Sequence, residues 1–410
     1  MNQRRLYRTI ESFASEHFKT DKDLLKHVLN EIVKNETIDI KGGRIWQYEP
    51  SSESYRLVHQ IGQIEKIEPR YKLPLSKYPI FLHLAEQRSL IANETDSYLR
   101  GKGIIKYSAT GVGERLASNG AFVHQYVLAF NFDNTDPSLL ADLNIISLAV
   151  TSLLRGKRIE QKAKLLEQDL DKAREIQQSI LPEHAVTFCD YEVYGVSIPD
   201  RIVGGDFFDY LYAEEDKDRL SIVIGDVASK GFQAASQALY VSGALRMGIS
   251  YHTKISSLMS RINKLVHKTF AEEQFVSMFY LELTDNQKGL ALYSNAGHNS
   301  PIVYHLKQDE FEMLESTGQI LGPFPNQQYR VENTNLEKGD LILMYTDGIS
   351  EARSTGGGVY GEERIGEKLK ELHKSSPKKI CESFLEDVNA FSSDSDYSDD
   401  QTIVVVKRIH

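Results

Sequence analysis

The chain has 410 residues, of which 41% are hydrophobic and 26% charged, a composition typical of a folded protein with room for two or three domains. Its formal net charge of −10 disfavours nucleic acid as the main partner, because a nucleic-acid backbone requires clustered Lys and Arg. The lack of a continuous apolar run of ~18 residues and of an apolar N-terminus predicts a cytoplasmic protein without a membrane partner. Two cysteines, Cys189 and Cys381, are too few for a zinc cluster.

The first 150 residues predict an α/β domain. Residues 10–33 have apolar side chains at helical spacing, and residues 44–48 and 55–60 predict a hairpin around turn-forming residues. A helix is expected over 79–90 and central strands over 121–132. This order resembles a GAF-type sensor domain. The resemblance implies a cup over an antiparallel sheet that binds an unidentified small molecule or a partner.

A helical linker is predicted over residues 151–182. The apolar spacing is that of a coiled-coil seam, it is interrupted at 155–158, and the helix ends before Pro182. The seam residues are Leu139, Leu143, Ile146, Val150 and Leu153, then Leu166, Leu170, Ala173, Ile176 or Gln177, and Ile180. Two interpretations remain open: amphipathic helices packed on their own domain, or a parallel coiled coil that makes a homodimer.

Residues 183–410 predict a further domain in which aspartates stand at the ends of apolar strands. They are Asp206, Asp226, Asp347 and the pair Asp399 and Asp400. Each one alone is best explained as a turn residue. Together, carboxylates without His or Cys partners suit hard cations such as Mg²⁺ or Mn²⁺, and two such ions activate a shared water for attack at phosphorus.

Five ordered segments carry a second resemblance. They read VGGDFFDY, GDVASKG, SNAGHNSP, YTDGISEA and DDQTIVVV, and they lie between residues 203 and 406. This pattern is similar to the SpoIIE/RsbU branch of the metal-dependent (PPM, type 2C) serine/threonine phosphatases, and residues 173–182 resemble the helix that leads into that domain. The resemblance implies an α-β-β-α sandwich, so the expected fold class is α+β.

The resemblance also assigns a ligand set for two Mn²⁺ or Mg²⁺ ions. Asp226 would bridge the ions, and the backbone carbonyl of Val227 would complete one of them. Asp206 would hold the first ion, while Asp347 and Asp399 would hold the second. Asp226 and Asp347 would act in catalysis through the metal-bridging water, which is the implied nucleophile.

Three further residues of this domain are ambiguous. Asp400 is expected either to ligate an ion or to orient the site. His298 lies between predicted strands 290–294 and 302–306, where a hairpin is expected, and it is either a turn residue or a proton donor to the leaving group. Asp209 is expected to support the site or a turn and is not counted as a ligand.

The predicted function is hydrolysis of phosphoserine on a regulatory protein, under control of the N-terminal sensor. The resemblance implies that this substrate is an anti-sigma-factor antagonist of the STAS type. One alternative is a non-catalytic signalling scaffold with the same fold. The other is a phosphohydrolase that acts on small phosphoesters with the same metals.

Overall fold

The computed structural model describes residues 11, 18–34, 40–93, 95–102, 104–132, 138–213, 216–250, 253–286, 288–393 and 399–410. The chain divides into two units, Met1–Leu165 and Leu166–His410.

The N-terminal unit is built on a six-stranded antiparallel sheet with the order β3-β2-β1-β6-β5-β4. Its elements are α1 (Asp21–Val33), β1 (Ile40–Glu49), β2 (Ser54–Gly62), β3 (Lys72–Pro74), α2 (Ile80–Gln87), β4 (Ser89–Ala92), α3 (Ser97–Gly101), β5 (Tyr107–Ser118), β6 (Ala121–Phe132) and the start of α4 (Ser138–Ile180). The predicted hairpin is confirmed, since β1 pairs with β2. The first part of the predicted helix 10–33 lies largely outside the described residues, and α1 begins after the Thr20 cap.

Side chains alternate between the two faces of this sheet, as the pleat requires. Ile45 and Leu128 pack with α1 and α4 on one face. Their neighbours Trp46 and Val127 pack with α2 and α3 on the other face. The sheet is therefore covered on both sides.

The apolar seam falters at 155–158, but the helix continues through these residues, because α4 is one helix of 43 residues. A single Gly156 costs a helix only ~1 kcal/mol relative to Ala. Arg158 also ties this part of the helix to the N-terminal unit through ion pairs with Asp21 and Glu114 at 3.1 and 3.0 Å.

The two halves of α4 differ in burial. By length and composition the helix could cross a membrane, since it contains an 18-residue window of mean hydropathy 1.4. Its first half nevertheless places Leu143 and Val150 in the core of the N-terminal unit. Its later residues Leu166 and Ile176 are 62% and 55% exposed. The first seam is thus packed on its own domain, as one of the two interpretations expects.

The C-terminal unit contains two antiparallel sheets, with orders β15-β12-β11-β10-β9 and β14-β13-β16-β17-β8-β7. The strands are β7 (Ala185–Phe188), β8 (Tyr191–Ile198), β9 (Phe207–Ala213), β10 (Asp216–Val227), β11 (Val276–Thr284), β12 (Leu290–Ala296), β13 (Ile302–His305), β14 (Glu310–Met313), β15 (Glu332–Asn335), β16 (Leu341–Tyr345) and β17 (Gln401–Arg408). The helices are α5 (Phe232–Ser250), α6 (Ile255–Thr269), α7 (Asp347–Ser350), α8 (Gly361–Leu372) and α9 (Pro377–Ser392).

Burial shows how these sheets stack. Ile222 of β10 and Ile342 of β16 share the core between the two sheets. Val223, one residue further on, packs under α5 and α6. Leu343 packs under α8 and α9. The unit is therefore the predicted α-β-β-α sandwich, and the α+β class is confirmed.

The predicted hairpin around His298 is wrong. Strand β12 pairs with β11 and β15, whereas β13 pairs with β14 and β16 in the other sheet. Stacked sheets lie ~10 Å apart, and the five residues between these strands are long enough to cross that gap. The turn thus carries the chain from one sheet to the other.

Candidate metal centre

Strand register brings the aspartates to one edge of the sandwich. In the first sheet Gly225 lies opposite Phe207, so Asp226 at the end of β10 meets Asp206 just before β9. In the second sheet Tyr345 lies opposite Ile403. Asp347, two residues after β16, therefore shares an edge with Asp399 and Asp400, which directly precede β17.

A threonine joins the two sheets at this edge. The hydroxyl of Thr346 donates to Oδ2 of Asp206 at 2.6 Å. The same hydroxyl accepts the backbone N–H of Thr402 at 3.0 Å. Because Thr346 precedes Asp347 directly, this contact fixes the position of Asp347 relative to Asp206.

Asp400 holds the backbone of the turn that presents Asp206. Its Oδ2 accepts the N–H of Gly205 at 2.6 Å and of Asp206 at 3.4 Å, and its Oδ1 accepts the N–H of Asp200 at 2.8 Å. A Cβ on Gly204 would lie 2.5 Å from Oδ2, so only glycine permits this approach. Of the two roles left open by the sequence, these contacts match the orienting one.

The carboxylates at this edge repel one another. Burial and the charge of Asp226 raise the pKa of Asp206 well above its usual range. Burial and the charges of Asp347 and Asp399 raise the pKa of Asp226 to about 7. Burial, Asp399 and Glu351 also raise the pKa of Asp347. Like charges gathered in this way are stabilised when cations bind between them.

The side chain of Lys230 reaches this edge. Lys230 Nζ lies 3.1 Å from Oδ2 of Asp399, and this hydrogen bond raises the pKa of the lysine. Its side chain is 56% exposed. An exposed pair of this kind contributes little to stability and leaves most of the negative charge uncompensated.

The Val227 carbonyl faces the same turn. It accepts the N–H of Ser229 at 2.6 Å, and a Cβ on Gly205 would lie 3.1 Å from the carbonyl oxygen. The oxygen is therefore close to the backbone that leads into Asp206.

The donor set fits hard divalent cations. All of the predicted ligand atoms are oxygens, and their charges repel in the absence of cations. Within the described ranges, no three His, Cys, Asp or Glu side chains enclose a single point. The fit to Mg²⁺ or Mn²⁺ therefore rests on the oxygen chemistry of these side chains and on their shared edge.

Sequence reasoning did not identify Gln177 as a partner of this site. Its side-chain amide lies buried near the end of α4, donates from Nε2 to the Gly204 carbonyl at 2.7 Å and accepts the Gly204 N–H on Oε1 at 3.3 Å. The helix end is thus bonded to the turn that carries Asp206. The sequence signals were its ambiguous place in the linker seam and its position within residues 173–182, the segment that resembles the helix leading into this domain.

Asp209 makes side-chain hydrogen bonds to helix α5. It is buried, and its Oδ2 accepts Arg246 Nε at 2.6 Å and the hydroxyl of Ser242 at 3.3 Å. These contacts join β9 to α5, which agrees with its exclusion from the ligand set.

His298 is a buried residue of the turn between the sheets. Its Nδ1 lies 2.8 Å from the hydroxyl of Ser277, and its backbone N–H donates to Asn295 Oδ1. Burial lowers its pKa to about 4. A neutral, buried imidazole favours the turn role over proton donation.

The chain is similar in sequence to known proteins. The sequence pattern of the family described as stage II sporulation protein E (SpoIIE) matches residues 216–409. The phosphoserine phosphatase RsbU of Bacillus subtilis is 28% identical over 255 residues, which cover 62% of this chain and 73% of RsbU. Protein IcfG of Synechocystis sp. is 28% identical over 267 residues, 58% of this chain and 41% of IcfG.

The fold has a solved counterpart. The SiaA-PP2C domain of Pseudomonas aeruginosa superposes with a TM-score of 0.52 at 19% identity, covering 60% of this chain and 98% of that domain. This likeness concerns the fold alone.

Proposed function

The C-terminal domain belongs to the SpoIIE/RsbU branch of the metal-dependent serine/threonine phosphatases, and we propose that the chain hydrolyses phosphoserine on a regulatory protein. The observation that carries the proposal is the convergence of mutually repelling carboxylates at one sandwich edge. A scaffold without catalysis would have no need to maintain this repulsion.

Two Mn²⁺ or Mg²⁺ ions are part of the proposal. Asp206, Asp226 and the Val227 carbonyl would hold one ion, and Asp226, Asp347 and Asp399 the other. Bound ions of this kind lower the pKa of water and polarise phosphoryl oxygens. Asp400 acts through the backbone of the 204–206 turn and keeps Asp206 in place.

The substrate is proposed to be a phosphorylated anti-sigma-factor antagonist of the STAS type. The support is the 28% identity to RsbU, which is described as a phosphoserine phosphatase. The protein would then act in partner-switching regulation, with the N-terminal unit as the sensor.

A homodimer through the later part of α4 completes the proposal. Leu165, Leu166 and Ile176 are exposed apolar residues on this helix, and a second copy of the chain would cover them. A cytoplasmic location is part of the same proposal. Sedimentation of the full chain at micromolar concentration tests the dimer, and a monomer there contradicts it.

The activity is tested with an aryl phosphate and added Mn²⁺. We expect hydrolysis that depends on the metal and is lost in Asp347→Asn. Asp309→Asn, which changes a carboxylate that pairs with Lys370 in another turn, is the control and keeps the activity. Absence of hydrolysis with every divalent metal tried contradicts the enzyme assignment and favours the scaffold.

A second experiment separates protein from small-molecule substrates. Phosphoproteomes of cells with and without the protein are compared, and the expected result is one or a few phosphoserine sites on regulatory proteins that change. An unchanged phosphoproteome, together with metal-dependent turnover of small phosphoesters, favours the phosphohydrolase alternative.

A further inference from the structure

The N-terminal unit contains a cavity beside its sheet. The cavity measures about 40 Å³. Its wall is mostly apolar and aromatic, with Trp46, Phe81, Leu99, Ile104 and Val127 among the lining residues. Such a wall surrounds hydrocarbon well and offers few partners to water.

One cation lies in this apolar wall. Arg44 lines the cavity and is 2% exposed. Its guanidinium donates to Asn131 Oδ1 and to the Glu65 carbonyl, both uncharged acceptors. In the part of the chain that the structure describes, no carboxylate forms an ion pair with Arg44, and its buried Nε has no hydrogen-bond partner.

A buried arginine without a counter-charge is costly, since buried charges are normally paired. Burial lowers the pKa of Arg44 to about 10, so the guanidinium is still charged at neutral pH. The position thus retains a positive charge inside an apolar pocket. An anionic ligand is the chemistry that compensates it.

A second polar group lines the same cavity. The buried hydroxyl of Thr95 has no hydrogen-bond partner within the described ranges. The adjacent carboxylate, Asp96, is already used, because it accepts the N–H of Leu99 and the hydroxyls of Tyr71 and Tyr78. The Nε–H of Arg44 and the hydroxyl of Thr95 are therefore two donors without an acceptor on residues that line this cavity.

We propose that this cavity binds a small aliphatic carboxylate, with Arg44 and Thr95 donating to its oxygens and the apolar wall enclosing its hydrocarbon part. Charge-assisted hydrogen bonds to a guanidinium are strong and match the geometry of a carboxylate. The volume limits the ligand to a few heavy atoms, because a water-sized group needs ~10–15 Å³ of such space. Acetate and propionate have suitable sizes.

The test is calorimetric titration of the full chain with sodium propionate in EDTA, so that the acidic edge of the C-terminal unit holds no metal that could bind the probe. We expect saturable binding at one site per chain and none for propionamide, which has the same shape without the charge. If none of formate, acetate, propionate and butyrate shows saturable binding, the proposal is wrong. Equal binding of propionamide also overturns it, because the site then recognises shape alone.

Two variants locate the site. Arg44→Met is expected to weaken propionate binding by about tenfold or more, the loss of a charged hydrogen bond. Ala109→Val keeps Arg44 and narrows the cavity, which Ala109 lines, and it is expected to abolish binding as well. If a folded Ala109→Val protein binds propionate as well as the parent chain, the anion binds elsewhere and the proposal is wrong.

Discussion

The two units of the chain bury charges of opposite sign in different settings. In the C-terminal unit the charge of Asp226 raises the pKa of Asp206, and burial and the charges of Asp347 and Asp399 raise the pKa of Asp226. In the N-terminal unit Arg44 stands alone and donates to neutral acceptors. Neutralising one of these carboxylates should therefore stabilise the folded protein. Neutralising the arginine should destabilise it, because the acceptors of its hydrogen bonds are left unsatisfied. A buried charge in either unit thus points to a ligand, and the groups around that charge decide how its removal changes stability.

The largest effect is expected for Asp226→Asn. Loss of an ion contact worth several kcal/mol should lower kcat/KM for an aryl phosphate by about 10³-fold. In EDTA the same variant should melt a few degrees higher, because one of the repelling charges is gone. Calorimetry measures the melting temperature, and Mn²⁺-dependent turnover measures kcat/KM. An unchanged melting temperature would contradict the proposed repulsion between the buried carboxylates.

Asp400→Ala should lower kcat/KM by about 10²-fold, since several backbone N–H groups lose their shared acceptor. Asp400→Asn keeps one acceptor oxygen, so it should recover part of this loss. Turnover at several Mn²⁺ concentrations separates the two roles of Asp400. Equal loss in the Ala and Asn variants would instead indicate a metal ligand.

Arg44→Met should destabilise the N-terminal unit by about 2 kcal/mol, because the Glu65 carbonyl and the Asn131 amide lose a buried donor. Urea unfolding followed by the fluorescence of Trp46 measures this change. Arg100→Met, at an exposed position of α3, is the matched control and should change stability little. A more stable Arg44→Met protein would mean that both units respond alike to the removal of charge.

His298 predicts a pH dependence of stability. Its pKa is about 4 in the folded protein and 6.5 ordinarily, so the unfolded chain binds the extra proton first. The contribution of the neutral imidazole is present above pH 6.5 and is lost as the pH falls towards 4. Between pH 7 and pH 5 we expect the free energy of unfolding of the parent chain to fall by about 1–2 kcal/mol relative to that of His298→Asn, which lacks the titrating group.

The control for His298 is Ser277→Ala, which removes the hydrogen bond and keeps the titrating group. It should retain the pH dependence. The profile of activity against pH should have the same shape above pH 6 in His298→Asn and in the parent chain. Loss of the acidic or basic limb of this profile in the variant would indicate that His298 donates a proton in the reaction.

The sandwich could be predicted because its signals are local in sequence. An apolar run such as 341–345, followed shortly by Asp-Gly, indicates a strand end and a turn. Repetition of this pattern predicted which aspartates lie at strand ends and carried the resemblance to the phosphatase family. The ligand assignments themselves stay predictions. The charges that they rest on do converge at one edge.

Other features depend on contacts between distant residues, and sequence pattern does not report these. Thr346 bonds Asp206 from 140 residues away, and Arg44 reaches Asn131 across the sheet. The helix continues through Gly156, where the apolar seam falters, and the ion pairs that Arg158 makes there are again contacts between distant residues. The hairpin at His298 failed because pairing partners, not proximity in sequence, decide which sheet a strand joins.

The smallest effect on activity is expected for Gln177→Ala. The variant removes both hydrogen bonds to Gly204 but no carboxylate, so the 204–206 turn should loosen and kcat/KM should fall by about tenfold. Gln178→Ala, at the exposed neighbouring position, is the matched control and should keep full activity. Higher Mn²⁺ should restore part of the loss in Gln177→Ala if the turn positions Asp206 for the metal. If both variants match the parent chain, the end of α4 has no part in organising the acidic edge, and the C-terminal unit builds its site without the linker.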